Sequence, residues 1–539
     1  MKFLALAVRS HRTGLFALAL IGAISGLVNG IGFVEVAGHT QLERQAFAQQ
    51  MEILGRQLTY LLPAPVQLDT IGGYLTWRAF GSVTLLYAIW AVLAGSGAAR
   101  GDEERGLTEA WLSAGISRAR WLVTRSAGFL IAALLSVVAT CLGTELGTIV
   151  VGEPVAIGAM ALEGVMILGV TLVGFGVGAT VGQLVITRRS AATIGTALVL
   201  ALHVLNSSSR AGADLGALRW ISPFYLFDRS APLLERGRFD VGATVGLYAI
   251  WATLVMLATA AFVRRDIGGA LVGRGVERTR ATFRPSRDRL LRIPVIASID
   301  QQRWWIIGWS AGLVGLGYFL TSLVRTMIDS LASIPSLRVY FERLGIGAYS
   351  DFIGVIWFST ALLLLSALVI VQANGWAADD AEGRLEMILA AGASRPRIVL
   401  ERVAAIIVEA AIVVSVASGA VFLAAAIAGI EVPADRFVVA TALTLAVAFA
   451  IAGVGHALVG WRPRVAVVLL GAATVASYFI QQFAPLFGWP DWIRHLSFFE
   501  LYGTPMTKVE WGGVAALVAT GIAGTAAALA TMRRRDVGV

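Results

Sequence analysis

Long apolar runs divided by shorter polar segments dominate the chain. Most runs exceed the roughly 20 residues that an α-helix needs to cross the hydrocarbon core of a bilayer. We therefore predict an all-α polytopic membrane protein with twelve spanning helices. By residue number, spans 1–6 are 13–33, 74–99, 121–150, 156–186, 191–206 and 241–263, and spans 7–12 are 303–325, 353–377, 398–429, 437–461, 465–486 and 511–532.

Arginine clusters between the spans indicate on which side each loop lies. They stand at 188–189, 264–292 and 533–535, and short basic loops of membrane proteins stay in the cytoplasm. We predict a multi-pass protein of the cytoplasmic (inner) membrane with both termini inside and span 1 retained as an anchor. The basic linker after span 6 carries Arg264, Arg265, Arg274, Arg278, Arg280, Arg284, Arg287, Arg289, Arg292 and Arg303 against Asp266, Glu277, Asp288 and Asp300.

Two polar segments are predicted to lie outside. The segment 36–72 favours an amphipathic helix at Gln41–Thr59, followed by a Leu-Leu-Pro-Ala-Pro break. The loop 207–240 contains the aromatic run WISPFYLF at Trp220–Phe227, which suits the outer membrane interface or a dip into it.

The stretch Gly101–Arg125 occurs a second time at Ala378–Arg402, without a gap and at a constant offset of 277. Such self-similarity indicates an internal duplication. The identical pairs include Asp102/Asp379, Gly106/Gly383, Glu109/Glu386, Leu112/Leu389, Ala114/Ala391, Gly115/Gly392, Ser117/Ser394, Arg118/Arg395, Arg120/Arg397 and Arg125/Arg402.

Each copy predicts a short amphipathic helix, at 102–115 and at 379–392, followed by a tight corner and a long helix. Acids at 102–104 suit a helix N-terminus, and Leu107, Ala110, Trp111 and Ala114 recur at the spacing of one apolar face. Glycines at 115 and 392 end the short helices, because glycine takes the left-handed conformation without steric penalty. Ser117 can then cap a helix that begins at Arg118, and Pro396 suits a first helical turn.

The rest of each half repeats the same plan. HLSFFELY at 495–502 echoes WISPFYLF, and RRRDVG at 533–538 echoes RRDIGG at 264–269. Because six spans per half is an even number, both halves enter the membrane from one side as parallel repeats. We divide the chain into a first repeat at 1–270, a cytoplasmic linker at 271–300 and a second repeat at 301–539.

Composition excludes several classes of protein. Hydrophobic residues make up 57% of the chain and charged residues 14%, and mean hydropathy is +0.76. The single cysteine, Cys141, rules out a disulfide framework or a cysteine-based metal cluster. The net charge of +9 comes almost wholly from arginine, and we assign it to loop orientation rather than to nucleic-acid binding.

Motifs for catalysis or cofactor binding are missing from the sequence. A P-loop needs G-x-x-x-x-G-K-S/T, and the lysines, Lys2 and Lys508, lie outside any glycine-rich context. No H-E-x-x-H motif or nucleophile elbow occurs either. We predict no catalytic, cofactor or metal site, so the chain is not its own P-loop ATPase.

The E-x-x-L-x-x-G-x-S-R corner, the WISP-like segment and the RRDIG ends resemble the fused-repeat permeases of actinobacterial ATP-binding-cassette (ABC) exporters. These are the polyketide-antibiotic (tetronasin-type) and multidrug efflux permeases, with an ABC-2 or type V-like fold. The resemblance implies an exporter of hydrophobic or amphipathic drugs whose short cytoplasmic helices dock into two copies of a separate ATPase, which binds the ATP and magnesium. The family often has proline where Gly115 and Gly392 stand here.

The resemblance places the contacts to the ATPase on the repeated stretch. We predict that Glu109 and Glu386 make polar contacts and that Trp111 and Leu389 anchor the apolar face. Arg118 and Arg395 suit either the partner or lipid phosphate. The full predicted set is Glu109, Trp111, Leu112, Gly115, Arg118, Glu386, Ile388, Leu389, Gly392 and Arg395.

Polar and aromatic residues within spans are the candidates for a transport pathway. Polar groups in hydrocarbon must pair or face a cavity, although helix-to-helix hydrogen bonds explain many of them equally well. The polar candidates are Arg78, Glu145, Glu163, His203, Asn206, Gln372, Asn374, Glu409, His456, Gln481 and Gln482. The aromatic candidates for a drug cavity between the halves are Tyr87, Trp90, Trp357, Phe358, Tyr478 and Phe479.

Two other functions compete with an ATP-driven exporter. A proton-coupled secondary drug antiporter also has twelve spans and membrane acids such as Glu163, but the G-x-x-x-D-R-x-G-R-R motif of the major facilitators is missing after span 2. A membrane glycosyltransferase would want paired acids in an outer loop, where Glu43, Glu52 and Asp69 are scattered.

Overall fold

The computed structural model describes residues 2–57, 65–210, 212–271, 289–332, 349–381, 383–487 and 489–534. Within these ranges the chain is helical, with two isolated β-bridges and no longer strand. Twelve of the helices are long and apolar enough to cross a membrane. The predicted all-α polytopic fold is therefore confirmed.

The chain divides into two compact units, Met1–Phe283 and Arg284–Val539. The boundary falls inside the basic linker that we predicted at 271–300. Residues 272–288 of that linker, with Arg274, Arg278, Arg280, Arg284 and Arg287, lie outside the described residues, as do Leu61–Ala64 of the proline break and Arg535.

The first unit contains spans 1–6. The amphipathic helix predicted after span 1 is present, and a 3-10 turn at Gly216–Ile221 precedes the short helix of the aromatic loop. In chain order the helices are Lys2–Ser10 (the N-terminal helix), Arg12–Ala37 (span 1), Gln41–Gln57, Ile71–Glu104 (span 2, with two π-helical turns), Leu107–Ser113, Arg118–Val150 (span 3), Ile157–Leu184 (span 4), Arg188–Arg210 (span 5), Pro223–Asp228 and Val241–Arg264 (span 6).

The second unit contains spans 7–12. Span 7 begins at Pro294 rather than near 303, so the helix takes up the last part of the predicted linker. Proline suits this first helical turn. The helices are Pro294–Ala332 (span 7), Tyr349–Ala381 (span 8), Arg384–Ala390, Arg395–Ile427 (span 9), Ala434–Trp461 (span 10), Pro463–Phe487 (span 11), Asp491–Arg494, Phe498–Tyr502 and Trp511–Arg534 (span 12).

Helix pairing inside the two units follows one scheme. In each unit the first span packs on the third, the second and sixth pack on the fourth, and the fifth packs on the second and fourth. The duplication is also visible in the bounds: the short helix, the third span and the fourth span of the second unit each lie 277 residues after those of the first. The gapless correspondence thus extends well beyond the repeated stretch.

The aromatic loops also match. In each unit a serine precedes the helix of the aromatic loop, Pro223–Asp228 or Phe498–Tyr502. Its Oγ donates a hydrogen bond to a carbonyl of the fifth span of that unit: Ser222 to Leu202 at 2.8 Å and Ser497 to Ser477 at 2.7 Å. A single antiparallel bridge follows in both units, before the last span. The echo between WISPFYLF and HLSFFELY therefore corresponds to a shared local fold.

Small residues explain the close approach of spans 1 and 3. Gly22 and Gly26 face Thr140 and Thr144, and a methyl group on either glycine would collide with the threonine Oγ1. In lipid, helices associate by close packing and hydrogen bonds, because burying apolar surface from lipid brings little gain. The glycines of span 1 therefore set its distance from span 3.

Candidate functional site

The two short helices, Leu107–Ser113 (the first short helix) and Arg384–Ala390 (the second), each lie between two left-handed glycines. Gly106 has φ +70° and Gly115 +86°, and their counterparts in the second unit have +72° and +89°. A left-handed residue breaks a right-handed helix, and glycine adopts this conformation without a Cβ clash. Two sharp reversals therefore isolate each short helix from the spans on either side.

The predicted extents, 102–115 and 379–392, are wrong for this reason. Asp102, Glu103 and Glu104 form the last turn of span 2, and Gly106 separates them from the first short helix. A seven-residue helix is about 10 Å long at 1.5 Å per residue, half the length that we expected. The corner itself is confirmed: Ser117 Oγ accepts the N–H of Arg120 at 3.3 Å, and spans 3 and 9 begin at Arg118 and Arg395.

The inward face of each short helix is shifted from the predicted one. Thr108 and its counterpart Leu385 are 1% exposed, whereas Leu107 is 43% exposed and Ala110 and Ala114 are exposed. The face turned to the spans is an i, i+4 pair, Thr108 with Leu112 and Leu385 with Leu389. The partly buried Leu389 packs on a cluster formed by spans 8–12.

Glu109 and Glu386 point outward. Both are exposed, and neither makes an ion pair or side-chain hydrogen bond within the part of the chain that the structure describes. The adjacent hydrophobic positions differ, since Trp111 is half-buried against Phe3 at 5.1 Å whereas its counterpart Ile388 is 38% exposed. The two short helices thus present matched acids and unequal apolar surfaces.

A matched ion pair holds the corner behind each short helix. Arg125 of span 3 pairs with Asp102 at the end of span 2, and Arg402 of span 9 pairs with Asp379 of span 8 at 2.9 Å. The first pair is buried, with Asp102 1% exposed, while the side chain of Asp379 is 28% exposed. Each pair joins the two helices that flank a short helix.

Arg118 and Arg395 cap the last span of their own units. Arg118 Nη1 donates to the carbonyls of Phe262, Val263 and Arg265 at 3.4, 3.2 and 2.6 Å. Arg395 Nη1 donates to Met532 and Arg533 at 2.9 and 3.4 Å. The last carbonyls of a helix lack intrahelical partners and carry partial negative charge. These arginines therefore position the corner, and their predicted contact with a partner or with lipid phosphate stays a prediction.

A buried polar cluster in the first unit escaped sequence analysis. Glu103 accepts hydrogen bonds from Arg265 and from the N–H of Gly268, and Arg265 Nε donates to Gln183 at 2.7 Å. Arg100, 1% exposed, donates to the carbonyl of Gly182 at 2.7 Å. The cluster fastens the RRDIGG segment to spans 2 and 4. The sequence contains both parts of the cluster, the acidic run at 102–104 and the RRDIGG motif. Because they lie 162 positions apart, nothing in the sequence indicates that they meet.

Some polar candidates within spans form buried hydrogen-bonded groups, one in each unit, and others are exposed. In the second unit, Glu409 is 1% exposed and accepts hydrogen bonds from Gln302 at 3.0 Å and from Gln372. In the first, Asn206 and Arg210 donate to Asp228, and Glu163 is 1% exposed. Other candidates have a buried atom without a hydrogen-bond partner among the described residues: one oxygen each of Glu145, Glu163 and Gln481, and one nitrogen each of His203 and His456. The side chains of Arg78, Asn374 and Gln482 are exposed.

The aromatic candidates lie mostly in the packing of single units. Tyr87 is fully buried, and its hydroxyl lies 2.8 Å from Thr140 Oγ1 and 2.9 Å from the carbonyl of Ser136. Trp357, 2% exposed, donates to Ser418 Oγ at 3.0 Å. These two, and Phe358 against Phe437, contact neighbouring spans of their own unit, and their predicted role in a drug cavity stays a prediction.

The remaining three aromatic candidates are half-buried. Trp90 packs on Phe129 with ring centroids 4.9 Å apart, and the rings of Tyr478 and Phe479 lie 6.4 Å apart. A drug cavity between the halves stays a prediction. Among the described residues no cluster of His, Cys, Asp and Glu side chains is arranged to hold a metal ion.

Residues 291–533 match the family model of the C-terminal domain of the multidrug efflux system permease Rv1217c. The match takes in spans 7–11 and all but the last residue of span 12. A search of curated proteins finds no match to the chain. The second unit is therefore similar to a domain of a multidrug efflux permease, which agrees with a multi-pass membrane protein of drug efflux.

Proposed function

We propose that this chain is the permease of an ATP-driven exporter of hydrophobic or amphipathic drugs, coupled to two copies of a separate ABC ATPase through its two short helices. The similarity of residues 291–533 to a multidrug efflux permease supports drug export. The proposed coupling to an ATPase rests on the pair of short helices. They have the same length, the same bounding glycine conformations and exposed glutamates at equivalent positions.

Two equivalent surfaces on one chain suit a partner that is present in two copies. A homodimer offers the same surface twice, and a duplicated permease offers two surfaces to receive it. Each short helix is too small to be a domain and is fixed at both ends, so it can seat in a surface cleft of the partner. The missing P-loop requires that ATP and magnesium bind to that partner.

The corner contacts explain how a movement of the short helix would reach the spans. Asp102–Arg125 joins spans 2 and 3, and Arg118 joins span 3 to the end of span 6. A partner that holds the short helices differently in its ATP-bound and empty forms shifts the equilibrium between two permease conformations by that difference in binding free energy. The short helices deliver this free energy to three spans of each unit.

A proton-coupled antiporter is the second candidate, supported by the burial of Glu163 and Glu409. Each carboxyl is 1% exposed within a span, and charged groups in this environment are rare outside ion or proton pathways. This alternative makes the opposite prediction about energy supply: export would follow a proton gradient and continue without any ATPase.

The test is co-expression of the chain with any ABC ATPase found in the neighbouring coding region, using the double variant Glu109→Lys/Glu386→Lys. We expect at least a tenfold loss of drug-stimulated ATP hydrolysis and loss of ATPase co-purification, because charged hydrogen bonds contribute about 1.5–3 kcal/mol each. The matched control is Glu431→Lys, an exposed glutamate between spans 9 and 10.

Three results would overturn the proposal. The purified chain alone could hydrolyse ATP, the double variant could export drugs normally, or export could persist without an ATPase and collapse with the proton gradient. The last result would establish the antiporter instead.

A further inference from the structure

A cavity of about 400 Å³ lies at the short-helix end of the first unit. It is enclosed by the N-terminal helix, spans 2 and 3, the first short helix and the start of span 5. Its lining runs from Leu93, inside span 2, to Arg105, just beyond that span, a rise of about 18 Å along the helix. The cavity therefore extends from the apolar part of a span to its polar end.

Cations outnumber anions in this lining. Arg105, Arg125 and Arg188 face it against one carboxylate, Asp102. Asp102 is already engaged twice, by Arg125 and by Arg105 at 2.6 Å. Glu104, which accepts the backbone N–H of Arg188 at 2.7 Å, is not part of the lining. The guanidinium of Arg188 makes no ion pair or hydrogen bond within the described ranges, so the cavity retains uncompensated positive charge.

Two buried side chains in the lining carry nitrogen atoms without partners. His11 and Arg125 are each 8% exposed, and neither His11 Nε2 nor Arg125 Nε has a hydrogen-bond partner among the described residues. Burial and the neighbouring Arg125 lower the pKa of His11 to about 4, so its ring is neutral at physiological pH. A buried polar atom without a partner is costly, and a ligand that accepts hydrogen bonds removes that cost.

The cavity also has an aromatic wall. Phe3 of the N-terminal helix packs on Trp111 at 5.1 Å and on Trp121 at 5.4 Å, and all three rings line the cavity. Arginines beside an apolar aromatic wall suit a ligand with an anionic head and an apolar body. A free inorganic anion would leave the aromatic wall unused.

We propose that this cavity binds the phosphate group of an anionic membrane phospholipid, with the phosphate against Arg105 and Arg188 and the glycerol and first acyl carbons against the aromatic wall. Basic pockets between spanning helices are suited to such head groups. The volume lies in the lower part of the ~300–1,000 Å³ range of small-molecule pockets, enough for a head group. The binding site would adjoin the first short helix, and it does not depend on the function proposed above.

The second unit lacks the residues that make this site. In the gapless repeat, Arg105, Trp111 and Trp121 correspond to Glu382, Ile388 and Ile398. One arginine thus becomes an acid, and both tryptophans are lost. We therefore expect one tightly bound lipid per chain, held by the first unit.

The experiment is native mass spectrometry of the purified full chain, released from nanodiscs of phosphatidylglycerol or of phosphatidylcholine. We expect one phosphatidylglycerol per chain to survive release and phosphatidylcholine to be lost. The double variant Arg105→Gln/Arg188→Gln removes both cations placed against the phosphate and should reduce retention of the lipid at least tenfold. Because both side chains are exposed, we expect the variant to fold. Arg120→Gln is the control, because this exposed arginine in the first turn of span 3 does not line the cavity.

A second variant fills the cavity without replacing a charged residue. A Cβ on Gly97, which lines the cavity, would meet nothing closer than Arg188 Nε at 3.9 Å, so Gly97→Leu should fold and also lose the lipid. Equal retention of the two lipids, or unchanged retention in both variants, overturns the proposal. Displacement of the lipid by millimolar inorganic phosphate, with phosphate then held in its place, overturns the lipid as ligand and assigns a free-phosphate site.

Discussion

The first unit buries Arg100, Glu103 and Arg265 at the end of spans 2, 4 and 6, whereas the second unit places Trp376 against His456 with ring centroids 4.6 Å apart. In the gapless repeat, Ala99 and Arg100 correspond to Trp376 and Ala377. On the same helix scaffold, the second unit thus has an aromatic contact beside the position at which the first unit buries Arg100.

The residues that recur in both units shape the corner around each short helix. The left-handed glycines, the capping arginines and the aspartate–arginine pair are present in both units. The buried acids behave differently, since Glu163 corresponds to Ala440 and Glu409 to Ala132. Comparison of the two units therefore distinguishes side chains that hold the corner in both units from buried acids that occur in one unit only.

The largest effect should come from breaking the buried charged cluster of the first unit. Glu103→Ala leaves Arg265 and Arg100 buried without their carboxylate, and removing one partner of a buried ion pair costs about 3–5 kcal/mol. We expect a marked fall in the melting temperature of the purified chain. Glu109→Ala, which removes a nearby exposed acid that makes no ion pair or side-chain hydrogen bond among the described residues, is the control. Equal melting temperatures for the two variants would show that the cluster does not stabilise the unit.

The matched ion pairs should differ in strength because they differ in burial. Asp102→Asn removes the charge that compensates a buried arginine, at a cost of about 3 kcal/mol. Asp379→Asn acts on a pair whose side chains are 28% and 20% exposed and should cost under about 1 kcal/mol. The melting temperatures of the two single variants test this order, and the reverse order would contradict burial as the cause.

The last effect should be intermediate in size and the same in both units. Gly106→Ala and Gly383→Ala each place a Cβ on a left-handed residue, where strain costs about 1–2 kcal/mol. The added Cβ would meet no neighbour within 4 Å at either site, so backbone strain is the only penalty. Gly375→Ala, at a helical glycine of span 8 with equally open surroundings, controls for the added methyl group. Melting temperatures that differ clearly between Gly106→Ala and Gly383→Ala would show that the two corners are not equivalent.

Local sequence was sufficient for the spans and for the corners. The length of each apolar run is a property of adjacent residues, and a glycine followed by a capping serine is a signal only a few residues long, so these predictions survived. The prediction of the short helix failed at Gly106, because a glycine can either continue a helix or reverse the chain. The choice between these conformations is made by the packing of the corner, where Asp102 pairs with Arg125, 23 positions later.

Sequence alone determined twelve apolar helices, a duplicated plan and a glycine corner repeated at a spacing of 277, because hydrophobic run length and self-similarity need no tertiary contacts. Only the tertiary structure decided that Arg118 caps a helix end about 145 residues away and that Glu103 meets Arg265. It also decided that three arginines and an aromatic wall share one cavity. The physical reason is that a guanidinium group can pair with a carboxylate, a carbonyl or a phosphate, and only packing selects which of these lies within reach.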